Sequence, residues 1–192
     1  EDIAAGRIVL NVRVALPPPS VPGAPPGVVS SWLFARKPGD RVELSGPFGA
    51  VRVQENDREM VFIGGGVGMA PLRAMIWEQL ESRGTDRPMS FWYGARSLAD
   101  LFYADEFDAL AAKHPNFGWT VALSDPAPDT TWTGPVGFVH NVVLDRHLRD
   151  HPAPEECDYY LCGPPLMIRA VLAMLDDLGE PRERIFNDDF GV

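Results

Sequence analysis

Four glycines in five positions, Gly64-Gly65-Gly66-Val67-Gly68, followed by Met69-Ala70-Pro71, constrain this chain more than any other stretch. They come directly after the apolar run Met60-Val61-Phe62-Ile63. A short apolar run halted by glycine reads as a strand buried on both faces. Residues 69–82 then carry apolar side chains at helical spacing. Glycines between a strand and a helix let the backbone turn tightly and bring its N–H groups close to an anion such as a pyrophosphate. The helix start adds N–H groups of its own. An ordinary turn could also join strand to helix, but it does not need so many glycines. The spacing is G-x-G-x-x-P, with Pro71 in the first helical turn, where a missing N–H costs little.

The same alternation continues to the end of the chain. Strands are expected at residues 89–93, 117–123, around Tyr159-Tyr160-Leu161 and at 184–186. Helices are expected at 103–113, 138–149 and 164–178. Repeated strand–helix units predict an α/β fold of Rossmann-like type. Its five-stranded parallel sheet, ordered 3-2-1-4-5, should be covered on both faces and span residues 55–192. The first 54 residues read differently. Residues 7–16 alternate as a strand, with Ile8, Leu10, Val12, Val14 and Leu16 on one face. The proline-rich stretch 17–27 is an extended loop, 28–35 a short helix and 41–44 another strand. Residues 1–54 are therefore expected to form part of a small antiparallel β-barrel.

The formal net charge of -10 argues against nucleic acid and against anionic lipid, both of which need a basic face. No stretch approaches the roughly 18 apolar residues that span a bilayer, and no signal peptide is expected at the start. The two cysteines, Cys157 and Cys162, are too few for a four-cysteine cluster. Their odd spacing along a strand points them to opposite faces, so no disulfide is expected.

A second signal is Cys162-Gly163-Pro164-Pro165, at the end of the fourth strand. Ligands of open α/β sheets sit at the carboxyl ends of the strands. Alone, this would read as a buried cysteine at a strand end. With the glycine loop it reads as the other wall of a nucleotide site. The combination of G-x-G-x-x-P with a later C-G-P-P resembles the ferredoxin–NADP reductase superfamily. Pro38-Gly39-Asp40 with Gly46-Pro47-Phe48-Gly49 resembles the edge of its flavin domain. Gly27-Val28-Val29-Ser30-Ser31 resembles its flavin-pyrophosphate motif, although a serine there is more often a plain helix cap.

Longer stretches narrow the resemblance. They are Asn11-Val12-Arg13-Val14-Ala15, Phe91-Trp92-Tyr93-Gly94-Ala95-Arg96-Ser97, Ala122-Leu123-Ser124-Asp125-Pro126, Gly137-Phe138-Val139-His140-Asn141-Val142 and Asp188-Asp189-Phe190-Gly191. Over nearly the whole chain these are similar to the FAD- and NADH-binding part of the NADH-oxidising subunits in the sodium-translocating NADH:quinone oxidoreductase family. The resemblance implies hydride transfer from NADH to FAD, then electron flow to a [2Fe–2S] ferredoxin-like domain of the same subunit and on to quinone. It implies partner subunits and a place on the cytoplasmic side of the bacterial inner membrane. This segment would not itself insert into the membrane. The superfamily's R-x-Y-S flavin segment is not found, so the chain reads as a piece beginning midway through the flavin domain.

By this resemblance Gly64, Gly65, Gly66, Val67, Gly68, Met69, Ala70 and Pro71 hold the pyrophosphate. Cys162, with Gly163, Pro164 and Pro165, packs by the nicotinamide. Tyr93, Gly94, Ala95, Arg96 and Ser97 line the adenosine ribose. Gly27, Val28, Val29, Ser30 and Ser31 hold the flavin, and Phe190 caps its ring. Two alternatives stay open: a reductase component of an oxygenase, and a nucleotide-binding module without activity. No metal site is expected. His147 and His151 stand four apart without the glutamate of a zinc hydrolase motif, and read as helix-end residues favouring the dipole. Asp188 and Asp189 read as a closing turn, and Asp105, Glu106 and Asp108 as a solvated helix face.

Overall fold

The computed structural model describes residues 6–17, 23–46, 48–128 and 130–187. The chain divides into two compact units, Glu1–Phe48 and Gly49–Val192. Residues 49–54, expected with the first domain, go with the second unit, because Val51 and Val53 pack against its core.

In the first unit the helix is formed and the strands are not. Helix α1 (Val28–Phe34) follows Gly27. Residues 7–16 and 41–44 have no strand pairing among the described residues. The alternating pattern is present, but a strand forms only where a neighbour offers a ladder for its N–H and C=O groups. Here the backbone contacts of residues 7–16 run to α1 instead, with Gly27 N–H donating to Ala15 C=O at 2.8 Å. Ile8, Leu10, Leu16 and Leu44 are exposed.

The second unit is a five-stranded sheet in the order β3-β2-β1-β4-β5, parallel throughout. Its elements alternate along the chain: β1 (Met60–Gly65), α2 (Met69–Trp77), β2 (Met89–Ala95), α3 (Ala104–Lys113), β3 (Phe117–Leu123), α4 (Val139–Val143), β4 (Asp158–Cys162), α5 (Pro165–Asp177) and β5 (Ile185–Asn187). The expected order of strands is the one observed. Two helices end in a widened π turn, Glu78–Arg83 after α2 and Leu144–Leu148 after α4. The first of these is closed by Gly84 in a left-handed conformation, φ 60°.

Successive strand residues face opposite sides, so each strand supplies both layers of the core. Met60 and Phe62 join Leu72, Ile76, Phe91, Tyr93, Phe107 and Tyr160 on the side of α2 and α3. Val61 and Ile63 join Val139, Val143, Tyr159, Leu161, Val171 and Leu175 on the side of α4 and α5. Each such side chain fully withdrawn from water contributes about 1.5–3 kcal/mol before its entropy cost. Glu106 departs from the expected solvated face. It turns inward and takes a two-pronged contact from Arg73, at 2.6 and 2.9 Å, which ties α3 to α2.

The amino edge of the sheet is stitched by one guanidinium. Arg87 donates to the carbonyls of Arg58 (2.7 Å) and Gln54 (2.9 Å) and reaches Asp158 Oδ2 at 3.3 Å. Asn56 donates to the same carboxylate oxygen at 2.8 Å.

Candidate functional site at the carboxyl edge

The parallel register sets Gly64 of β1 directly opposite Cys162 of β4. This is where the sheet order reverses, between the first strand and the fourth, the place where open α/β sheets bind their ligands. The two motifs singled out from sequence therefore meet, although 94 residues separate Gly68 from Cys162.

The four glycines do different jobs. A side chain on Gly64 would meet Leu72 at 2.7 Å and Phe91 at 3.3 Å. One on Gly65 would meet Met167 Sδ at 2.7 Å and the carbonyl of Gly94 at 3.2 Å. One on Gly68 would stand 2.2 Å from the carbonyl oxygen of Cys162 and 2.6 Å from the nitrogen of Gly163. Those three are glycine because neighbouring protein fills the space. Gly66 is glycine for the other reason. Its φ is +55°, and nothing lies within 4 Å of where a side chain would stand. It is the point of the loop where backbone is open to an approaching ligand.

Gly163 is packed against Gly65. Its side-chain position is taken by Met167 Cε at 2.5 Å and by the nitrogen of Gly65 at 3.1 Å. Met167, on α5, thus fills the space under both turns. Sequence reasoning did not single it out, and a lone methionine on a helix carries no signal by which it could have. Pro164 caps α5 and Pro165 opens it, where the missing N–H leaves no helical bond unmade. Cys162 is buried and not disulfide-bonded, as is Cys157.

Tyr93 lies beneath the glycine loop. Its ring is fully buried, and its hydroxyl is 3.2 Å from the carbonyl oxygen of Gly66 and 3.3 Å from that of Asp100. Burial, with the nearby Asp100 charge, pushes its hydroxyl up to about 12, so it stays protonated and able to donate. A side chain on Gly94 would meet Val139, at the start of α4, at 3.1 Å. Ser97 caps a short 3-10 turn, Leu98–Asp100, its hydroxyl 2.9 Å and its N–H 3.1 Å from Asp100 Oδ2. Arg96 is exposed and pairs with Asp125 at 3.2 Å. The ends of β2 and β3 are further joined by the N–H groups of Ser124 and Asp125, which donate to the carbonyls of Ala95 and Arg96.

In the first unit, the side-chain position of Gly27 is already taken by Ala15 Cβ at 2.7 Å and Ser30 Oγ at 3.0 Å. The Ser30 hydroxyl accepts from Ala15 N–H (3.1 Å) and donates to Gly27 C=O (3.2 Å). Val28 and Val29 are exposed. Phe190, with Asp188 and Asp189, lies outside the described residues.

Among protein families, the oxidoreductase NAD-binding domain matches residues 62–173. The chain is 58% identical over 186 residues to the F subunit of the Na(+)-translocating NADH-quinone reductase of Yersinia pestis (strain Pestoides F), covering 97% of this chain and 46% of that protein. It thus spans about half the length of the curated relatives it matches. Among solved structures it resembles the Amycolatopsis cytochrome P450 reductase GcoB, with TM-score 0.74 and 33% identity over 88% of this chain and 50% of that one. It also resembles the ferredoxin reductase in carbazole 1,9a-dioxygenase, with TM-score 0.72 and 34% identity over 88% of this chain and 48% of that one.

Proposed function

The chain belongs to the oxidoreductase NAD-binding domain family, and from that premise we propose that it binds NADH across the carboxyl ends of β1 and β4 as the NADH-oxidising part of a longer protein. The observation that carries this reading is Gly66, left-handed and open beside the start of α2 and the Cys162 turn. A pyrophosphate approaching there meets backbone N–H groups and a helix start with no side chain in its path.

Bound there, NADH would supply a hydride to the flavin, FAD, of the longer protein. The chain's own residues bind and orient. Gly66, Val67, Gly68, Met69, Ala70 and Pro71 hold the pyrophosphate. Tyr93 holds the Gly66 carbonyl from below and so fixes the loop. Cys162, Gly163, Pro164 and Pro165 form the wall beside the nicotinamide, while Gly94, Ala95, Arg96 and Ser97 border the adenosine ribose. No protein acid or base is needed, because the protein's contribution is position.

Gly27, Val28, Val29, Ser30 and Ser31 would meet a flavin pyrophosphate with the backbone N–H groups at the start of α1 and not with the Ser30 side chain. The glycine face is filled and the Ser30 hydroxyl is engaged. We assign no step to them. The purified chain is expected to hold little FAD, and stoichiometric flavin absorbance would overturn this.

The longer protein is the NADH-oxidising component of a sodium-pumping NADH:quinone reductase, at the cytoplasmic side of a bacterial inner membrane. It passes electrons through a [2Fe–2S] domain to quinone. The 58% identity along 97% of the chain supports this. The described residues contain no helix long and apolar enough to cross a membrane. A second reading, the reductase component of an oxygenase, is supported by the two solved reductases at 33% and 34% identity.

NADH should bind in preference to NADPH, because Asp125 occupies Arg96 and adds negative charge where a 2′-phosphate would sit. Calorimetric titration with both nucleotides tests this, and tighter NADPH binding would refute it. NADH-dependent ferricyanide reduction with added FAD separates an enzyme from a binding module that lacks activity.

A further inference from the structure

We propose that Glu59, His151 and Cys157, at the amino edge of the sheet, form a binding site for a divalent transition-metal ion, with zinc as the best match. The site goes beyond the nucleotide reading and does not depend on it. Its residues come from three segments that the fold brings together. Met60 and Asp158 are register partners, so Glu59 and Cys157, the residues just before them, are neighbours. His147 lies in the π turn that follows α4, and His151 comes one helical turn later.

The donor atoms of Glu59, His151 and Cys157 all lie within 4.8 Å of one another. His151 Nε2 is 3.0 Å from Glu59 Oε2 and 3.9 Å from Cys157 Sγ. Around a tetrahedral zinc the corresponding edges are about 3.3 Å for N···O and about 3.6 Å for N···S, so each needs an adjustment of only a few tenths of an ångström. Imidazole, thiolate and carboxylate together are a borderline-soft donor set. Calcium and magnesium take oxygen ligands instead. His147 Nε2 sits 2.8 Å from the other oxygen of Glu59 and would hold that carboxylate in place, as an outer partner does for a metal-bound acid.

A second, independent observation points to a cation. Glu180 is only 6% exposed, and neither of its carboxylate oxygens has a hydrogen-bond partner among the described residues. Its charge acts on His151 and Cys157. A buried carboxylate without a partner is costly, and a dication held by His151 and Cys157 would lower that cost through the same longer-range interaction. The two histidines, read from sequence as helix-end residues, thus stand on Glu59, which lies 88 and 92 residues away in the sequence.

Loading moves two protons. The Cys157 thiol releases its proton to solvent. His151 Nδ1 now accepts from Ala153 N–H at 3.2 Å, so the neutral ring carries its proton on Nε2. A metal on Nε2 shifts that proton to Nδ1 and breaks the Ala153 contact. No oxidant or reductant is involved.

The test is titration of the purified full chain with Zn²⁺ by calorimetry and with Co²⁺ by absorption spectroscopy. One ion per chain is expected, removable by a chelator, with a thiolate-to-cobalt charge-transfer band in the near ultraviolet. The band should vanish in Cys157→Ser and persist in Cys162→Ser. Glu59→Gln should weaken zinc binding at least 10-fold, and His147→Gln about 10-fold. In the unaltered chain, zinc should shift the Ala153 amide resonance, a readout that does not depend on any variant folding. Absence of one-to-one binding, a band that survives Cys157→Ser, a band lost only in Cys162→Ser, or an unmoved Ala153 amide would each overturn the proposal.

Discussion

The two ends of the one parallel sheet are built from opposite materials. At the amino edge, side chains do the joining. Arg87 binds two carbonyls and Asp158, while Asn116 donates to the carbonyls of Thr85 and Arg87. At the carboxyl edge of β1 and β4, backbone meets backbone across glycines, with Met167 filling the space under the two turns and Tyr93 propping a carbonyl from inside the core. Charged side chains lock geometry in place but occupy space. Bare backbone, open at Gly66, leaves N–H groups that an anion can use. On the proposed reading, the packing that holds the strands lies at one end and the nucleotide contacts at the other, so substitutions at one end should leave the property of the other largely intact.

The largest expected effect tests that separation directly. Arg87→Ala leaves Asp158 buried, at 2% side-chain exposure, without its cation. A loss of about 3–5 kcal/mol in a denaturant melt is expected, because an uncompensated buried charge remains. NADH affinity measured well below the new melting temperature should be unchanged. An equal loss of affinity would break the comparison.

Gly68→Ala comes next and should fail the separation in a specific way. The new methyl group would meet the Cys162 carbonyl at 2.2 Å, and both partners are backbone. Stability should fall by on the order of 1–3 kcal/mol and NADH binding with it, since the two strand-end turns must part. Gly66→Ala has open space and only the left-handed backbone to contend with. A thermal melt that falls further for Gly66→Ala than for Gly68→Ala would contradict this division of roles.

Cys162→Ala sharpens the carboxyl side. Flavin reduction by NADH in the longer protein should slow by about 10-fold, since a small misplacement of reacting atoms is costly. Affinity should change less and the melting temperature only modestly. A structural cysteine would give the reverse, an unchanged rate with a lower melt, and stopped-flow traces read beside the melt tell the two apart. The smallest effect is expected of Arg96→Ala. The Arg96–Asp125 pair is solvent-exposed on both sides, so stability should move by no more than about 0.5 kcal/mol in the same melt.

Much of this was legible from residue order alone. Strands halted by glycine, helices opened by proline and alternation along the chain lead to the 3-2-1-4-5 sheet, since local pattern and chain handedness leave few other arrangements. The meeting of Gly68 with Cys162 follows from that order. What each glycine is for was not legible, because a missing side chain reads the same whether protein or ligand fills its place. Residues 7–16 have the pattern of a strand and lack its ladder, which is a property of neighbours and not of the segment. Glu106, one of several acids on α3, turns inward because Arg73 and the Trp77 indole N–H wait there on α2. His147 and His151 show their spacing in the sequence, and Cys157 follows six residues later, whereas Glu59 reaches them only through the pairing of β1 with β4.

That pairing has a consequence for the order in which the molecule can assemble. β1, β2 and β3 follow one another closely in the chain, while the second neighbour of β1 begins 98 residues after it, Met60 lying opposite Asp158. During synthesis, at about 5–20 residues per second, three strands and two helices are available well before the fourth strand leaves the ribosome. Until then the glycine loop has no rear wall, and closing so distant a contact is slow in any case. The nascent domain therefore passes through a stage in which one full side of its central strand is open to any passing edge, and Cys162 is among the last residues of β4 to seal it.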